Sequence, residues 1–332
     1  FSVFGASGYI GSVDFYQQGY PYVAVVKDGA GIGRAMLCPG KTSVIGTMQY
    51  LLPKDNILPK YLFYVVKYMN LEKYFTGATI PHIYFKDYKN EEFNFDFWER
   101  QVEIVSVPSK CEKVIDSCKQ ELQLLDKLIK ARFVELFGDP VSNSYGLPEA
   151  TLPDLGEFGR GVSKHRPRND IKLLGGKYPL IQTGDVANAG LYITSYSSTY
   201  SELGLKQSKM WDKGTLCITI AANIAKTAIL EFDACFPDSV VGFIANERTN
   251  NIFVHYWFSF FQAILESQAP ESAQKNINLK ILSELKVIVP EKRKQDQFAS
   301  FVKLTDKSKV AVQKALDEAQ LLFDSLMQEY FG

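Results

Sequence analysis

The sequence predicts an α+β (mixed α/β) fold with two similar globular domains, separated by two long helices that form an antiparallel coiled coil. Three observations predict this class. The chain repeats itself at an offset of 194 residues, each repeat ends in a long heptad pattern, and the rest of each repeat contains short β-rich runs between turn signals. A chain of 332 residues has room for two such domains.

The repeat is clearest at the ends of the two predicted helices. The chain ends Tyr330-Phe331-Gly332, and Leu136-Phe137-Gly138 stands 194 residues earlier. Upstream of both, apolar or small residues recur in steps of four and three, which is typical of a coiled-coil seam. Because one small domain cannot cover so long a stripe, we expect the two helices to pair, antiparallel. The predicted helix-pairing residues are Cys111, Ile115, Cys118, Leu122, Leu125 and Ile129 in the first helix and Val312, Leu316, Ala319, Phe323 and Leu326 in the second.

The repeat continues upstream in shorter matches, with small changes of offset that indicate loop insertions. The matched segments are residues 61–69 with 255–263, 43–46 with 239–242, 32–34 with 224–226, and 1–4 with 178–181. Each half therefore reads as a globular domain followed by a long helix. The predicted strands are residues 22–26, 216–220, 228–230 and 286–289, and the main helix of each domain covers residues 61–69 or 252–265.

Composition excludes some classes of protein. Lys plus Arg equals Asp plus Glu at 37 each, so any affinity for nucleic acid has to come from local basic patches. Five cysteines without a C-x-x-C pair argue against a disulfide framework and a zinc ribbon, and Cys111 and Cys118 read as small core residues. The longest apolar stretch, residues 252–265, is too short and too polar to span a bilayer. These features predict a reduced, cytoplasmic protein with no membrane association.

A dinucleotide-binding site is the first alternative. Gly5-Ala-Ser-Gly-Tyr-Ile-Gly11 follows a short strand, and Asp28 stands about twenty residues further on. The segment after it is too short for the crossover helix, no α/β alternation follows, and Pro53 interrupts the Tyr50 to Lys54 spacing. The glycine-rich residues 29–33 have no Gly-Lys-Ser/Thr after them, so tight turns are the better interpretation.

A stand-alone Mg²⁺-dependent nuclease is the second alternative. Asp154 followed by Asp170-Ile-Lys172 fits a loose acid and acid-x-Lys pattern that arises easily by chance. The histidines, His82, His165 and His255, have no acid or cysteine at metal or triad spacing, and His255 reads as a core residue. The sequence therefore predicts no catalytic residues and no metal site.

A basic segment remains, Arg160-Gly-Val-Ser-Lys-His-Arg-Pro-Arg-Asn169, which is turn-rich and contains no acid. Without a binding function, this segment would be a solvated surface loop. Its functional interpretation is a loop that faces a DNA groove, because guanidinium groups bind phosphate or a guanine edge through two parallel hydrogen bonds. The predicted DNA-binding residues are Arg160, Lys164, His165, Arg166, Arg168, Lys206, Lys209 and Lys226 in the second domain and Lys27 and Arg34 in the first, where the aromatic Tyr9, Tyr16 and Tyr22 lie nearby.

This order of features, present twice, resembles the specificity (S) subunit of type I restriction–modification systems. The resemblance covers the whole chain and depends on residues 178–185, the strand at 216–220 with residues 221–226 after it, residues 239–242, Gln101 and Gln297 at the helix starts, and the Phe-Gly helix ends. It implies a first target-recognition domain at residues 1–97, a first conserved helix at 98–138, a second target-recognition domain at 139–290 and a second conserved helix at 291–332. It also implies that an N-terminal part of the first domain, with the counterpart of residues 160–169, is missing here.

The resemblance further implies a non-catalytic subunit. Each domain would read one half of a bipartite site in double-stranded DNA, and the helical pair would act as a spacer that docks two modification (methyltransferase) subunits, with restriction (endonuclease) subunits outside. S-adenosylmethionine, ATP and Mg²⁺ would belong to those partners, with no cofactor in this chain. The rival from another class is a coiled-coil scaffold whose two β-rich domains bind proteins or glycans.

Overall fold

The structure, a computed structural model, describes residues 1–77, 80–268 and 277–332. The chain forms two compact units. The first unit consists of Phe1–Glu121 and Val312–Gly332, and the second unit is Leu122–Ala311. Each unit therefore contains part of both long helices.

The first unit is built on two three-stranded sheets. Its elements are β1 (Ser2–Gly5), β2 (Gly8–Ser12), β3 (Tyr22–Val26), β4 (Ala35–Cys38), β5 (Ser43–Val44), β6 (Met48–Leu51), α1 (Pro59–Tyr68), a 3₁₀ turn (Leu71–Tyr74), α2 (Phe85–Tyr88) and the start of α3 (Trp98–Phe137). The sheet orders are β2-β1-β5 and β4-β3-β6. All five residues of β3 are buried, because one face packs on α1 and the other on the β1 sheet. This two-sided burial explains its unbroken apolar sequence.

The second unit contains a larger version of the same pair of sheets. Its elements are β7 (Glu149–Ala150), α4 (Leu152–Leu155), β8 (Gly156–Arg160), a 3₁₀ turn (Ile171–Leu173), β9 (Leu174–Leu180), α5 (Thr183–Asn188), β10 (Tyr192–Ile193), β11 (Ser198–Tyr200), α6 (Glu202–Lys206), β12 (Met210–Trp211), β13 (Leu216–Thr219), β14 (Thr227–Leu230), β15 (Ala234–Cys235), β16 (Val240–Ala245), α7 (Asn251–Gln268), α8 (Leu279–Glu284), β17 (Val287–Ile288) and α9 (Lys292–Phe331). The sheet orders are β10-β14-β13-β16-β8, β11-β9-β15-β12 and β17-β7.

The two units share their central pairings. The strand β3 pairs with β4 and β6 as β13 pairs with β14 and β16, all antiparallel. The parallel pair Val3–Ser43 corresponds to Leu180–Cys235, which confirms the predicted match of residues 1–4 with 178–181. The mixed fold with two similar units is therefore the one that the sequence predicts.

The long helices confirm the repeat to the residue. Both α3 and α9 contain 40 residues, and they start and end at an offset of 194. Each is ~60 Å long at about 1.5 Å per residue. Helix α3 is followed by Gly138, whose amide donates to the Val134 carbonyl and whose φ is +74°, a conformation that favours glycine after a helix.

The helices pair in opposite directions. In the first unit, Cys111 and Ile115 of α3 pack with Phe323 near the end of α9. In the second unit, Ile129 near the end of α3 packs in one core with Val302 near the start of α9. The predicted helix-pairing residues are all buried or half-buried: Cys111, Ile115, Cys118, Leu122, Leu125, Ile129, Val312, Leu316, Ala319, Phe323 and Leu326.

One buried glutamine ties the start of each long helix to its unit. Gln101 and Gln295 are both 0% exposed, and each is the fourth residue of its helix. The Gln101 side chain accepts a hydrogen bond from the Leu58 amide at 2.8 Å. It donates to the carbonyl oxygens of Asn56 and Asp96 at 2.9 and 2.8 Å.

The glutamine of the second helix is bound in the same way. Gln295 accepts from the Thr249 hydroxyl at 2.8 Å and donates to the carbonyl oxygens of Arg248 and Pro290 at 3.0 and 2.8 Å. The prediction of Gln297 as the repeated helix-start residue is wrong, because that side chain is exposed. Two residues along a helix rotate a side chain by more than half a turn, so only Gln295 faces the unit.

We expect Gln295→Leu to lower the free energy of unfolding of the second unit by ~2 kcal/mol, because it removes the partner of the Thr249 hydroxyl, of a buried carbonyl group and of a part-buried one. Gln297→Leu is the matched control, and it should change stability by less than about 0.5 kcal/mol because Gln297 is exposed. Guanidinium unfolding of both variants measures the difference. Equal effects of the two substitutions would show that the buried glutamine does not anchor the helix.

Several smaller predictions concern the core. All five cysteines are free and buried, as predicted for a reduced protein core. His255 lies on the apolar helix α7, as predicted, and shares a hydrogen bond with the Thr227 hydroxyl at 2.9 Å. The residue is half-buried, and burial lowers its pKa to about 4. Within the described residues, every helix is either too short or too polar to cross a membrane.

Candidate nucleic-acid interface

One edge of the five-stranded sheet collects the basic segments of the second unit. Arg160, Val241, Ile218 and Thr227 lie side by side across β8, β16, β13 and β14. The segment after Arg160, the turn before β16 and the loop that joins β13 to β14 therefore leave the sheet at this same edge. We call residues 160–169 the basic loop.

The basic loop is held by the segment that follows α6. The amides of Lys164 and His165 both donate to the side-chain oxygen of Gln207, at 2.7 and 3.0 Å. The Ser208 hydroxyl donates to the Val162 carbonyl at 2.8 Å. These bonds fix the backbone of the loop, while the side chains of Lys164 and His165 remain exposed.

The two arginines of the loop converge on one carboxylate. Arg168 Nη2 lies 2.5 Å from Asp238 Oδ1, and Arg166 Nη2 lies 3.6 Å from Asp238 Oδ2. The guanidinium of Arg166 also donates to the Ser163 carbonyl at 2.6 Å. Both guanidinium groups are therefore anchored within the protein, yet their side chains are 55% and 45% exposed.

The other predicted DNA-binding residues of this unit divide into two groups. His165 Nε2 lies 3.0 Å from Asp170, and Lys209 Nζ lies 2.8 Å from Glu157 and 3.7 Å from the centre of a Trp211 ring. The cations that form no salt bridge with any acid in the described part of the chain are Arg160, Lys164, Lys206 and Lys226. The edge therefore carries free positive charge beside the paired arginines.

The hairpin loop at this edge is repeated in the first unit. In the first unit, the Val26 carbonyl accepts a hydrogen bond from the Gly33 amide at 2.8 Å. The Val26 amide donates to the Arg34 carbonyl at 3.0 Å. In the second unit, Thr219 makes the same two bonds with Ala225 and the residue after it, both at 2.9 Å. Gly33 and Ala225 both have positive φ, at +78° and +57°, so the two loops share their backbone conformation.

The residue after each left-handed position is a cation, Arg34 in the first unit and Lys226 in the second. The predicted match of residues 32–34 with 224–226 is therefore confirmed. Arg34 also donates to the Ala6 carbonyl at 3.3 Å, and it is exposed. Lys226 is half-buried. A positive charge thus occupies the same place in both units.

The predicted match of residues 43–46 is wrong in register. The Lys27 amide donates to the Thr47 carbonyl at 2.9 Å, and the equivalent Ile220 amide donates to the Ser239 carbonyl at 3.0 Å. Thr47 is therefore the counterpart of Ser239. Residues 43–46 resemble residues 239–242 in sequence, but residues 43–44 form a strand of the other sheet.

The remaining predictions for the first unit are mixed. Lys27 is half-buried, and its counterpart Ile220 is only 2% exposed, so the two units do not share a charge there. Tyr22, one of the nearby aromatic residues, is in the core, and burial raises its pKa to about 12, so it cannot stack on a base. Tyr9 and Tyr16 are exposed.

A cleft of about 290 Å³ with both polar and apolar walls lies beside the basic loop. Arg168, Asn169, Gln182 and Ser239 contribute to its walls. The hydroxyl of Ser163, which also lines the cleft, is buried and has no hydrogen-bond partner among the described residues. No sequence pattern indicates this cleft, because its walls come from separate segments of the chain.

The two alternative sites have structural explanations. Gly5 and Gly8 close the antiparallel β1–β2 hairpin, so no helix N-terminus follows to bind a pyrophosphate. Asp154 belongs to the capping box of α4 together with Thr151. Asp170 caps a 3₁₀ turn by accepting a hydrogen bond from the Lys172 amide, and this bond is the main cause of the lowered pKa of Asp170. Among the described residues, no cluster of three His, Cys, Asp or Glu side chains could hold a metal ion.

A family model describes more than half of the chain. The model of the type I restriction modification DNA specificity domain matches residues 149–319. This range begins at β7, contains the sheet edge described above and ends within α9.

Sequence relatives agree with that match. A putative type I restriction enzyme MjaX specificity subunit of Methanocaldococcus jannaschii is 22% identical over 292 residues, which are 83% of this chain and 68% of the relative. The type I restriction enzyme MjaIX specificity subunit of the same organism is 25% identical over 179 residues, 48% of this chain and 40% of the relative.

Solved structures show the same fold. The S subunit of a type I restriction-modification system from M. genitalium is similar with a TM-score of 0.62 at 17% identity, covering 100% of this chain and 88% of the other. A chain from a structural study of complex assembly and conformational transition of the type I R-M system has a TM-score of 0.50 at 13% identity, covering 99% and 90%.

Proposed function

Since the chain belongs to the type I restriction-modification DNA specificity family, which supplies specificity and not catalysis, we propose that it reads a bipartite sequence in double-stranded DNA. Each unit would read one half of the site. The observation that carries this proposal is the sheet edge of the second unit, where the basic loop and a repeated cationic hairpin lie together beside a cleft.

The repeat divides the proposed contacts into two kinds. Arg34 and Lys226 occupy equivalent positions in both units, so they suit the feature common to both half-sites, the phosphate backbone. The basic loop has no counterpart among the described residues of the first unit, so it suits the bases of one half-site. The cations at the edge match a polymer that carries one negative charge per about 1.7 Å.

The long helices are the proposed docking surface for two modification (methyltransferase) subunits, with restriction subunits outside. Several large apolar side chains on them are exposed, which is typical of surfaces that bind other proteins. These side chains are Val102, Val107, Val114, Leu124, Leu128, Val134, Leu304, Val310, Leu321 and Leu322. The same proposal assigns S-adenosylmethionine, ATP and Mg²⁺ to the partners, no cofactor to this chain, and a cytoplasmic location.

The decisive experiment sequences methylated bases in cells that contain this chain with its modification subunit. The proposal expects one split motif, with two specified halves and an unspecified gap, that is absent when the chain is deleted. Salt titration of DNA binding by the purified chain tests the rival coiled-coil scaffold, because counterion release makes DNA affinity fall steeply with salt. Binding to proteins or glycans without salt-dependent DNA affinity would favour the scaffold.

We expect Lys226→Ala and Arg34→Ala each to weaken binding to all duplexes alike and to reduce the salt slope by about one, since each phosphate contact contributes about 0.9. Lys213→Ala is the control, because Lys213 pairs with Glu231 beyond the opposite edge of the sheet. Salt titrations on two unrelated duplexes give the slopes. A change of base preference with an unchanged slope would contradict the assignment to phosphates.

A further inference from the structure

Asp238 is the acid that pairs with both arginines of the basic loop. It lies in the turn before β16, where the Val240 amide donates to the Pro237 carbonyl at 3.0 Å. Its side chain is 33% exposed, and the oxygen that faces Arg168, Oδ1, is buried. The proposed DNA-reading groups, Arg166 and Arg168, are therefore not free guanidinium groups in the unbound protein.

The backbone sets this arrangement as well as the side chains. The amide of Gly161 donates to the Val240 carbonyl at 2.9 Å. A side chain at Gly161 would collide with the carbonyl oxygens of Phe236 and Pro237, so the start of the basic loop packs directly against the turn. The carboxylate of Asp238 is consequently presented to the loop by two backbone segments in contact.

The carboxylate is not needed to form the turn. In the first unit, the Met48 amide donates to the Ile45 carbonyl at 2.9 Å, which is the same bond as in the turn of the second unit. This bond makes Gly46 the counterpart of Asp238. The turn thus forms with no side chain at this position, and the acid is specific to the unit that has the basic loop.

We propose that Asp238 is a specificity-determining residue that occupies the two arginines until the correct DNA half-site replaces it. This inference rests on the proposed function of the second unit. When a DNA sequence does not match, one of its phosphates replaces the Asp238 carboxylate at the guanidinium groups, so one anion is exchanged for another with little gain. The displaced carboxylate also repels that phosphate. A matching half-site adds hydrogen bonds to base edges, and these offset the loss of the internal ion pairs. Asp238 therefore weakens binding to wrong sequences more than binding to the right one.

The test uses the full chain and two duplexes, one with the methylated motif found in cells and one with the half-site of the second unit scrambled. We expect Asp238→Asn to bind the scrambled duplex several-fold more tightly and to lose discrimination by a similar factor. Its salt slope on the scrambled duplex should steepen by about one to two, because freed arginines add phosphate contacts at about 0.9 each. Asp238→Glu, which keeps the carboxylate, should preserve discrimination.

Glu231→Gln is the matched control. It makes the same change of charge in the same unit, at a side chain that is 37% exposed and pairs with Lys213 away from the basic loop. If Asp238→Asn weakens binding to the scrambled duplex, or leaves the slope and discrimination unchanged while the native chain binds DNA, the inference is wrong. If the native chain shows no salt-dependent DNA binding at all, the proposed function fails and the inference fails with it.

Discussion

We expect Phe133→Ala to lower the free energy of unfolding of the second unit by ~3–5 kcal/mol. Phe133 is fully buried, and its ring stacks on Phe253 of α7 at 5.3 Å between ring centres. The rings of Phe137 in the same helix and Phe298 in α9 lie 5.0 and 5.3 Å away. Because three helices meet on this one ring, its removal leaves a cavity that no single neighbour can fill.

Leu128→Ala on the same helix is the control for that substitution. Leu128 is 49% exposed, so its loss should change stability by less than about 0.5 kcal/mol. Trp211 and Trp257 are both buried in the second unit, so their fluorescence reports its unfolding in guanidinium chloride. A loss of less than about 1 kcal/mol for Phe133→Ala would show that the two helices do not share one core with α7.

The long helices were predictable because periodicity and helix ends are local properties of the sequence. The offset of 194 residues found from the Phe-Gly ends also relates the helix starts, Trp98 and Lys292. The heptad stripe was followed only to Ile129, whereas the buried face continues through Phe133 and Phe137. Those residues face α7 as well as α9, and the position of α7 depends on tertiary packing that no heptad pattern contains.

The sheet register was less predictable than the helices. Short β-rich segments of the two halves resemble one another at several sequence offsets. The predicted match of residues 43–46 with 239–242 therefore has the wrong offset. The backbone hydrogen bonds of Thr47 and Ser239 identify the true counterparts. Gln295 and Gln297 cannot be distinguished in the sequence for the same reason, since only the helix shows that Gln295 is the one that faces inward.

The charges of the candidate site were predictable, but their partners were not. The absence of an acid from the basic loop suggested free arginines, whereas Asp238 supplies a carboxylate from about 70 residues further along the chain. Strand pairing between β8 and β16 makes the two segments neighbours. Asp238 lies two residues before β16, so its proximity to the basic loop follows only once the pairing of β16 with β8 is known.

The double substitution Arg166→Ala with Arg168→Ala should relax recognition of one half-site and leave the other half unchanged. Both arginines belong to the second unit, and the residues of the first unit are untouched. If each guanidinium binds a guanine edge, the loss is ~1–3 kcal/mol per contact and is confined to the bases it reads. Sequencing of methylated bases should then show a motif with one intact half and one degenerate half.

Stability effects should not obscure that result, because the two ion pairs with Asp238 are half-exposed and pairs of this kind contribute at most about 1 kcal/mol. Arg248→Ala is the matched control, since Arg248 is exposed in the same unit but follows β16 at the opposite edge of the sheet. A contact to phosphate would instead weaken both halves of the motif together and lower the salt slope by about one per arginine. An unchanged motif together with unchanged affinity would mean that the basic loop is a solvated surface, and that the second half-site is read elsewhere in the unit.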